Sequence, residues 1–575
     1  MEPTTKATSH PTCSCKPLMK NRIINPTRKT VHFTVRLIAL AALFVLSTSY
    51  QSHRKEMLLL EHDLFLPALK ESMSDYFRQI PDAAGYHNIA SGLVTIPLLK
   101  DFYTKQNYKP VWTRNLEISE QAVILLELLE RSEMYGLEKD LFRIQDIRRA
   151  LAFMQNRDKH MNHIVSRTNL EFLLTDACLK FMIYLKSGYQ AFDSTLFTQT
   201  AVSSLPAYLE HIMKTGDFEK KILAVQPDFI EYRRLQQALE YFLTRTERND
   251  DEIILPDPSK DSVSFRHAAR KILISLGYLQ PEATDESYSA ALKKFQYYHG
   301  LEPDGRPGRN TCKALAQSTG SKFRQIALNL DRLRKENLSA DQFIYVNIPA
   351  YQMRIYKQNK VIGHSKVIVG AVRTPTPLIS SRIETVVTNP EWRVPRSITL
   401  NEMLPRLKSD SSYLDRNRMR LVDENSNHVD YGQVDWSTVS AETFNFRISQ
   451  ESGRNNSLGR VKFVFPSPYP IYLHDTPGKK AFSKDIRALS HGCVRVQHPE
   501  MLANYLVREF AEDNNDLDVL GMINKGISRH IALNEPVDLY IHYITCEADE
   551  DLNIFFYNDI YGKDRKELKS LESLM

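Results

Sequence analysis

The chain has 575 residues, of which 42% are hydrophobic and 25% charged. That composition suits several folded domains and excludes disorder, collagen and a multi-span membrane protein. The net charge of +6 is local: residues 1–36 hold seven basic side chains against Glu2 alone, and the rest of the chain balances to zero. No basic footprint for nucleic acid remains on the folded part.

After the basic tail (1–36), Leu37–Leu46 is an unbroken apolar run, and no charge appears from Leu37 to Ser52. A basic segment followed by such a run has the form of an export signal. Residues 37–52 are therefore expected to be a single-pass signal anchor, with cleavage near Ser47 and Ser49 as the alternative. The positive-inside rule puts everything after it outside the cytoplasm. Six cysteines are too few for a disulfide scaffold. Cys178, Cys312 and Cys546 stand in apolar contexts and read as small buried hydrophobes. Cys493 does not.

From 57 to 255 the spacing predicts a helical domain. Ile124, Leu125, Leu128 and Leu129 recur with helical period, as do Phe172, Leu173, Leu179, Met182 and Ile183, and Gly136 suits a helix stop. Nothing in this stretch has catalytic spacing. Leu255-Pro256-Asp257-Pro258 predicts a linker. Residues 261–320 predict three short helices, with Phe265, Ala268, Ile272 and Leu276 on the first, Ala291, Leu292 and Phe295 on the second, and a turn at Leu301–Gly305 before the third. From Phe343 the period switches to two: Ile344, Val346, Ile348; Val461, Phe463, Phe465; Val537, Leu539, Ile541. A mostly β domain over 341–575 follows, with one helix starting at Pro499. Residues 400–450 are polar and irregular, as in a lid or binding loop inserted into that domain. The fold class is multidomain α+β.

The chemistry concentrates in Ser490-His491-Gly492-Cys493-Val494-Arg495. A nucleophilic cysteine reacts as thiolate, and a neighbouring histidine or arginine favours that form. In an extended segment Arg495 shares the face of Cys493. Gly492 lets a substrate approach the backbone, and amides around Cys493 would suit an oxyanion hole. Two bases compete: His474, at the end of a predicted strand, and His491, two residues before the cysteine. An inert core cysteine is disfavoured by its polar neighbours. Zinc ligation by His474, His491, Cys493 and His498 is disfavoured because the spacing fits no paired template.

Two resemblances emerge. Gly277-Tyr278-Leu279, Phe295-Gln296, Gly300-Leu301, Asp304-Gly305 and Gly308 with Thr311 resemble the peptidoglycan-binding type 1 domain. The run from Gly459 to Glu500 resembles the catalytic core of the L,D-transpeptidases, in their large scaffolded branch, because His474-Asp475-Thr476-Pro477 precedes the Ser-His-Gly-Cys signature. Asn389-Pro390 with Trp392 and Pro395, and Asp559-Ile560-Tyr561-Gly562, agree. Asp475 departs from the general family glycine. The resemblance implies acyl transfer through a Cys493 thioester with release of D-alanine, giving 3→3 peptidoglycan crosslinks. A hydrolytic outcome (an L,D-carboxypeptidase, or release of wall-linked peptides) is the alternative. It implies His474 as base, oxyanion amides at Gly492 and Cys493, and loop ordering by Ser490 and Arg495. Tyr472, Asp475 and Trp392 become candidate substrate contacts. The implied partners are stem peptides and glycan strands, at the periplasmic side of the inner membrane; no metal or organic cofactor is implied, and carbapenems are expected inhibitors.

Overall fold

The computed structural model describes residues 66–79, 93–114, 117–155, 163–189, 200–336, 338, 340–425, 427–512 and 517–572. The basic tail and the apolar segment 37–52 lie outside the described residues. Among the described residues, no helix is long and apolar enough to cross a membrane.

The first region is helical and is built around α1 (His163–Ser187), whose Leu170, Leu174, Cys178, Leu179, Met182 and Leu185 are all buried. A helix apolar on nearly every side must be surrounded, and Ile96–Lys105, Glu120–Glu130, Ile144–Gln155 and Leu205–Lys214 pack around it. Gly136 adopts a left-handed conformation and ends the turn Ser132–Tyr135. Glu171 sits in the middle of this core. Its carboxylate accepts N–H groups of Val111, Trp112 and Thr113 and the hydroxyls of Thr113 and Tyr103. A buried acid is tolerated when its lone pairs are saturated in this way.

Next come α2 (Ile230–Arg245) and the three helices α3 (Ser262–Ser275), α4 (Asp285–Tyr298) and α5 (Arg309–Leu315), closed over Phe265, Leu273, Leu292, Phe295 and Leu315. Then α6 (Thr319–Arg334) runs back beside α2.

The C-terminal region is organised on a nine-stranded sheet made of β1 (Gln342–Asn347), β2 (Gln352–Lys357), β3 (Lys360–Gly370), β4 (Ile379–Thr388), β5 (Val461–Val464), β6 (Leu473–His474), β7 (Ala488–Ser490), β8 (Val494–Val496) and β9 (Arg529–His542). Their order is β7-β3-β8-β6-β5-β4-β9-β1-β2, and β2 also pairs with β3, so the hydrogen-bonded path closes into a barrel. Closure removes the open edges on which sheets aggregate. Ile344, Val346, Val367, Ile383, Val461, Phe463, Leu473 and Val494 fill the interior, covered at one side by α7 (Pro499–Phe510) through Leu502 and Leu506. Period two alone implies one buried face, yet β1 is buried on both, because Phe343 and Tyr345 on its outer face lie beneath α2 and α6.

The insertion departs after Thr388 and returns at Val461, and these two residues are register partners on β4 and β5. Its segment 400–450 is folded rather than irregular. Four short antiparallel strands (Trp392–Arg393, Arg447–Gln450, Met419–Val422, His428–Val429, in that order) and the helices Leu404–Ser409 and Tyr413–Arg416 enclose a core of Met403, Leu407, Leu414, Leu421, Trp436, Phe444 and Ile448. These apolar residues are too dispersed in sequence to show a period, and they converge only in three dimensions.

Candidate active site

Strand register assembles the site. On β5, β6 and β8, Lys462 is opposite His474 and His474 opposite Arg495, while Phe463, Leu473 and Val494 form the adjacent row. The second row is sealed in the barrel. Successive side chains alternate between faces, so Lys462, His474 and Arg495 turn outward, with Tyr472 and Cys493 two positions earlier on the same face. The half-buried Cys493 therefore stands at the mouth of a patch drawn from three strands.

The loop carrying Cys493 is held by its own side chains and by segment 371–376. Ser490 is buried; its hydroxyl donates to the Cys493 carbonyl at 2.5 Å and accepts the Gly492 N–H at 3.2 Å. Gly492 has φ +115°, which side chains disfavour. Its N–H, expected as an oxyanion donor, is thus committed to Ser490. The Thr376 hydroxyl donates to the Gly492 carbonyl and accepts the Gly370 N–H, both at 2.8 Å. Thr374 Oγ1 donates to the Ser490 carbonyl at 3.0 Å. Behind this, the Tyr561 hydroxyl donates to the Gly370 carbonyl at 2.6 Å and accepts the Thr376 N–H. Tyr561 donates its own N–H to the Tyr543 hydroxyl, which donates in turn to Asp559.

The electrostatics differ from the sequence expectation. Burial pushes the Cys493 thiol up, against the opposing pull of the Tyr472 backbone, Lys462 and Arg495. Burial, and then the Arg495 charge, bring His474 down to about 3, so its imidazole is neutral. His474 Nδ1 and Arg495 Nε are both buried without a hydrogen-bond partner. Lys462 Nζ lies 4.1 Å from the centroid of the Tyr472 ring, and the Tyr472 and His474 rings meet edge to face at 5.6 Å. Burial lowers the Lys462 pKa, and the cysteine raises it.

The remaining candidates fall in different places. His491 is exposed, and its Nε2 meets the Glu402 carboxylate of the insertion. Trp392 lies in the core of the insertion beside Tyr472, which packs on both that core and the barrel. Asp475 is buried, and its carboxylate accepts the Arg460 N–H at 2.8 Å and the Lys479 ammonium at 2.6 Å. It also presses on Gly459, where a Cβ would come within 2.3 Å of the carboxylate. His498 is exposed at the start of α7. Sequence reasoning missed Lys462, Thr376 and Glu402. Lys462 had a signal, as the one charged residue in the alternating run Val461–Phe465; the other two contribute through tertiary contacts alone.

Comparison with known proteins gives three family matches. Residues 341–515 match the L,D-transpeptidase catalytic domain, residues 97–239 the Scaffold domain, and residues 263–315 the "Putative peptidoglycan binding domain". Among curated proteins, the "Putative L,D-transpeptidase" of Haemophilus influenzae is 36% identical over 242 residues, which are 42% of this chain and 48% of that protein. The chain thus spans about half the length of the curated relative it matches. Among solved structures, "Structure of the Ldtfm-avibactam carbamoyl enzyme" covers 53% of this chain and 87% of that chain, at 11% identity and a TM-score of 0.18. So low a score carries no argument.

Proposed function

We propose, for a chain that carries an L,D-transpeptidase catalytic domain together with scaffold and peptidoglycan-binding domains, that it forms 3→3 crosslinks between peptidoglycan stem peptides at the cell envelope, outside the cytoplasm. The observation that carries this reading is the shared outer face of β5, β6 and β8, which gathers a half-buried thiol, a neutral imidazole and two cations.

The Cys493 sulfur attacks the carbonyl carbon of the amide between the L-centre of a third-position diamino acid and a terminal D-alanine. Its proton passes to the neutral imidazole of His474, the base on the same face. Lys462 and Arg495 favour the thiolate as it forms, opposing the burial that keeps the thiol protonated at rest. The Cys493 N–H is the amide that remains for the oxyanion, since Gly492 donates to Ser490. When the C–N bond breaks, His474 returns the proton to the departing amine, D-alanine leaves, and a thioester remains. An amine of a second stem peptide then attacks the thioester carbonyl, loses a proton to His474 and frees the thiol. His491, held by Glu402, is read as a link between the catalytic loop and the insertion, which acts as a lid. Tyr472 and Trp392 form the wall beneath that lid. Asp475 is read as the brace that fixes the strand end carrying His474.

Residues 37–52 would tether the chain to the inner membrane, with the folded part on its periplasmic side. Carbapenems would acylate Cys493. Incubation with purified disaccharide-tetrapeptide tests the activity: crosslinked dimers and free D-alanine are expected, and neither should form with Cys493→Ala. Trimmed tripeptides without dimers would assign an L,D-carboxypeptidase, and dimers from Cys493→Ala would overturn the reading.

A further inference from the structure

Away from Cys493, a cleft of about 650 Å³ opens where three regions meet. Its floor is the outer face of β1 and β2 with the N-terminal turn of α2; one wall is the loop that follows α4, and the other is the segment before β7. None of the groups placed in the catalytic patch lines it. On the floor, Glu231 is 9% exposed and Tyr345 1%, and neither the two carboxylate oxygens of Glu231 nor the Tyr345 hydroxyl has a hydrogen-bond partner. Tyr356 stands beside both: its ring is 6.1 Å from that of Tyr345, and its hydroxyl reaches toward the Glu231 carboxyl, which also feels the Arg354 charge.

A buried carboxyl with only the Tyr356 hydroxyl near it, beside a buried Tyr345 hydroxyl without a partner, costs free energy that an empty scaffold has no reason to bear. Of the two buried acids that line the cleft, Glu547 is paired with Arg354 and Glu231 has no ion pair among the described residues. Two aromatic rings, an acceptor hydroxyl and an unpaired carboxylate together match the three N–H donors and the positive charge of a primary ammonium. At the rim, Lys366 and Lys484 are exposed and offer charges for carboxylates. The loop wall, with the half-exposed ring of Tyr297, belongs to the peptidoglycan-binding match.

We propose that this cleft is a second ligand site, which seats the side-chain ammonium of a wall stem peptide on Glu231 and Tyr345 while the peptide's carboxylates face the rim lysines. It rests on the wall-peptide reading above but not on the chemistry at Cys493. Such a site would hold a strand by one stem while another stem is processed at the catalytic patch.

Calorimetric titration of the full-length Cys493→Ala chain with disaccharide-tetrapeptide bearing a free side-chain amine tests it. Two binding events per chain are expected. Glu231→Gln, or acetylation of the ligand amine, should weaken one of them by about tenfold or more; Tyr345→Phe should weaken the same one. The melting temperature of each variant reports whether it folds. A single event, or two events that Glu231→Gln and Tyr345→Phe both leave unchanged in folded protein, would overturn the proposal and leave Glu231 as a first-turn acid of α2. The Glu231→Gln chain with Cys493 intact should still make dimers from soluble muropeptides. Loss of dimers in the parent chain would instead count against the transpeptidase reading.

Discussion

A thiol flanked by two cations should be acidic, yet burial outweighs Lys462 and Arg495 and leaves Cys493 protonated at rest. Alkylation of Cys493 should therefore keep accelerating as pH rises through the alkaline range, instead of levelling off near neutrality. Lys462→Met should slow it at pH 7 by roughly tenfold, as followed by intact-protein mass; an unchanged rate would remove Lys462 from the thiol's environment. His474 has the converse signature. Its imidazole is held neutral down to about 3, whereas an unfolded histidine takes up a proton near pH 6.5. Below 6.5 the unfolded chain binds a proton that the folded chain refuses, so stability falls as pH drops, until about pH 3. The loss is at most on the order of 5 kcal/mol. His474→Gln should flatten that acid slope in urea unfolding, and an unaltered slope would show that the ring is not so buried.

The loop from Ser490 to Cys493 is shaped by what stands behind it. Thr376 joins Gly370 to Gly492, and Tyr561 joins Gly370 to Thr376, so the C-terminal Asp559–Gly562 turn reaches the Ser490–Cys493 loop through two side chains. Thr376→Val removes two of these hydrogen bonds at little change in volume. The expected result is kcat lower by about tenfold with KM nearly unchanged; equal loss in both would point to a general disturbance of the fold. The strands themselves were legible in the sequence, since Phe463, Leu473 and Val494 declare the barrel face and thereby assign His474, Cys493 and Arg495 to the other. The hydrogen bonds of Thr376 were not, because a threonine in the run Arg373–Pro377 has no period to betray it. The sequence offers Gly492 as an amide donor and Ser490 as a residue that orders the loop. The conflict between those two roles appears only once the turn is built, where Ser490 takes the Gly492 N–H.

The domains are docked rather than strung. The end of α4 packs its Tyr298 against Phe555 at 4.8 Å, and His299 stacks near Phe556, so the small three-helix unit rests on the last hairpin of the catalytic region. Lys322 on α6 is buried in that junction, near His299 Nε2 and over the Phe556 ring, and burial brings it down to about 7. Between about 7 and 10.4 the unfolded chain holds a proton that the folded chain lacks, so this lysine's penalty is full below pH 7 and fades as pH rises. Lys322→Met should raise the melting temperature at pH 7, with a smaller gain at pH 10; equal gains at both would argue against a buried amine. The helical order along the chain was readable from periodicity, but this docking was not, since it depends on Tyr298, His299, Phe555 and Phe556 meeting across some 250 residues of sequence. Equally hidden was where the insertion begins and ends. Because Thr388 and Val461 face each other across one rung of the barrel, the chain enters and leaves the cap at one place, and Tyr472 and His491 hold it to the barrel by side chains alone. A tight hairpin or a foreign cap could replace it without altering the strand order of the ring, provided that it again covers Tyr472 and meets His491.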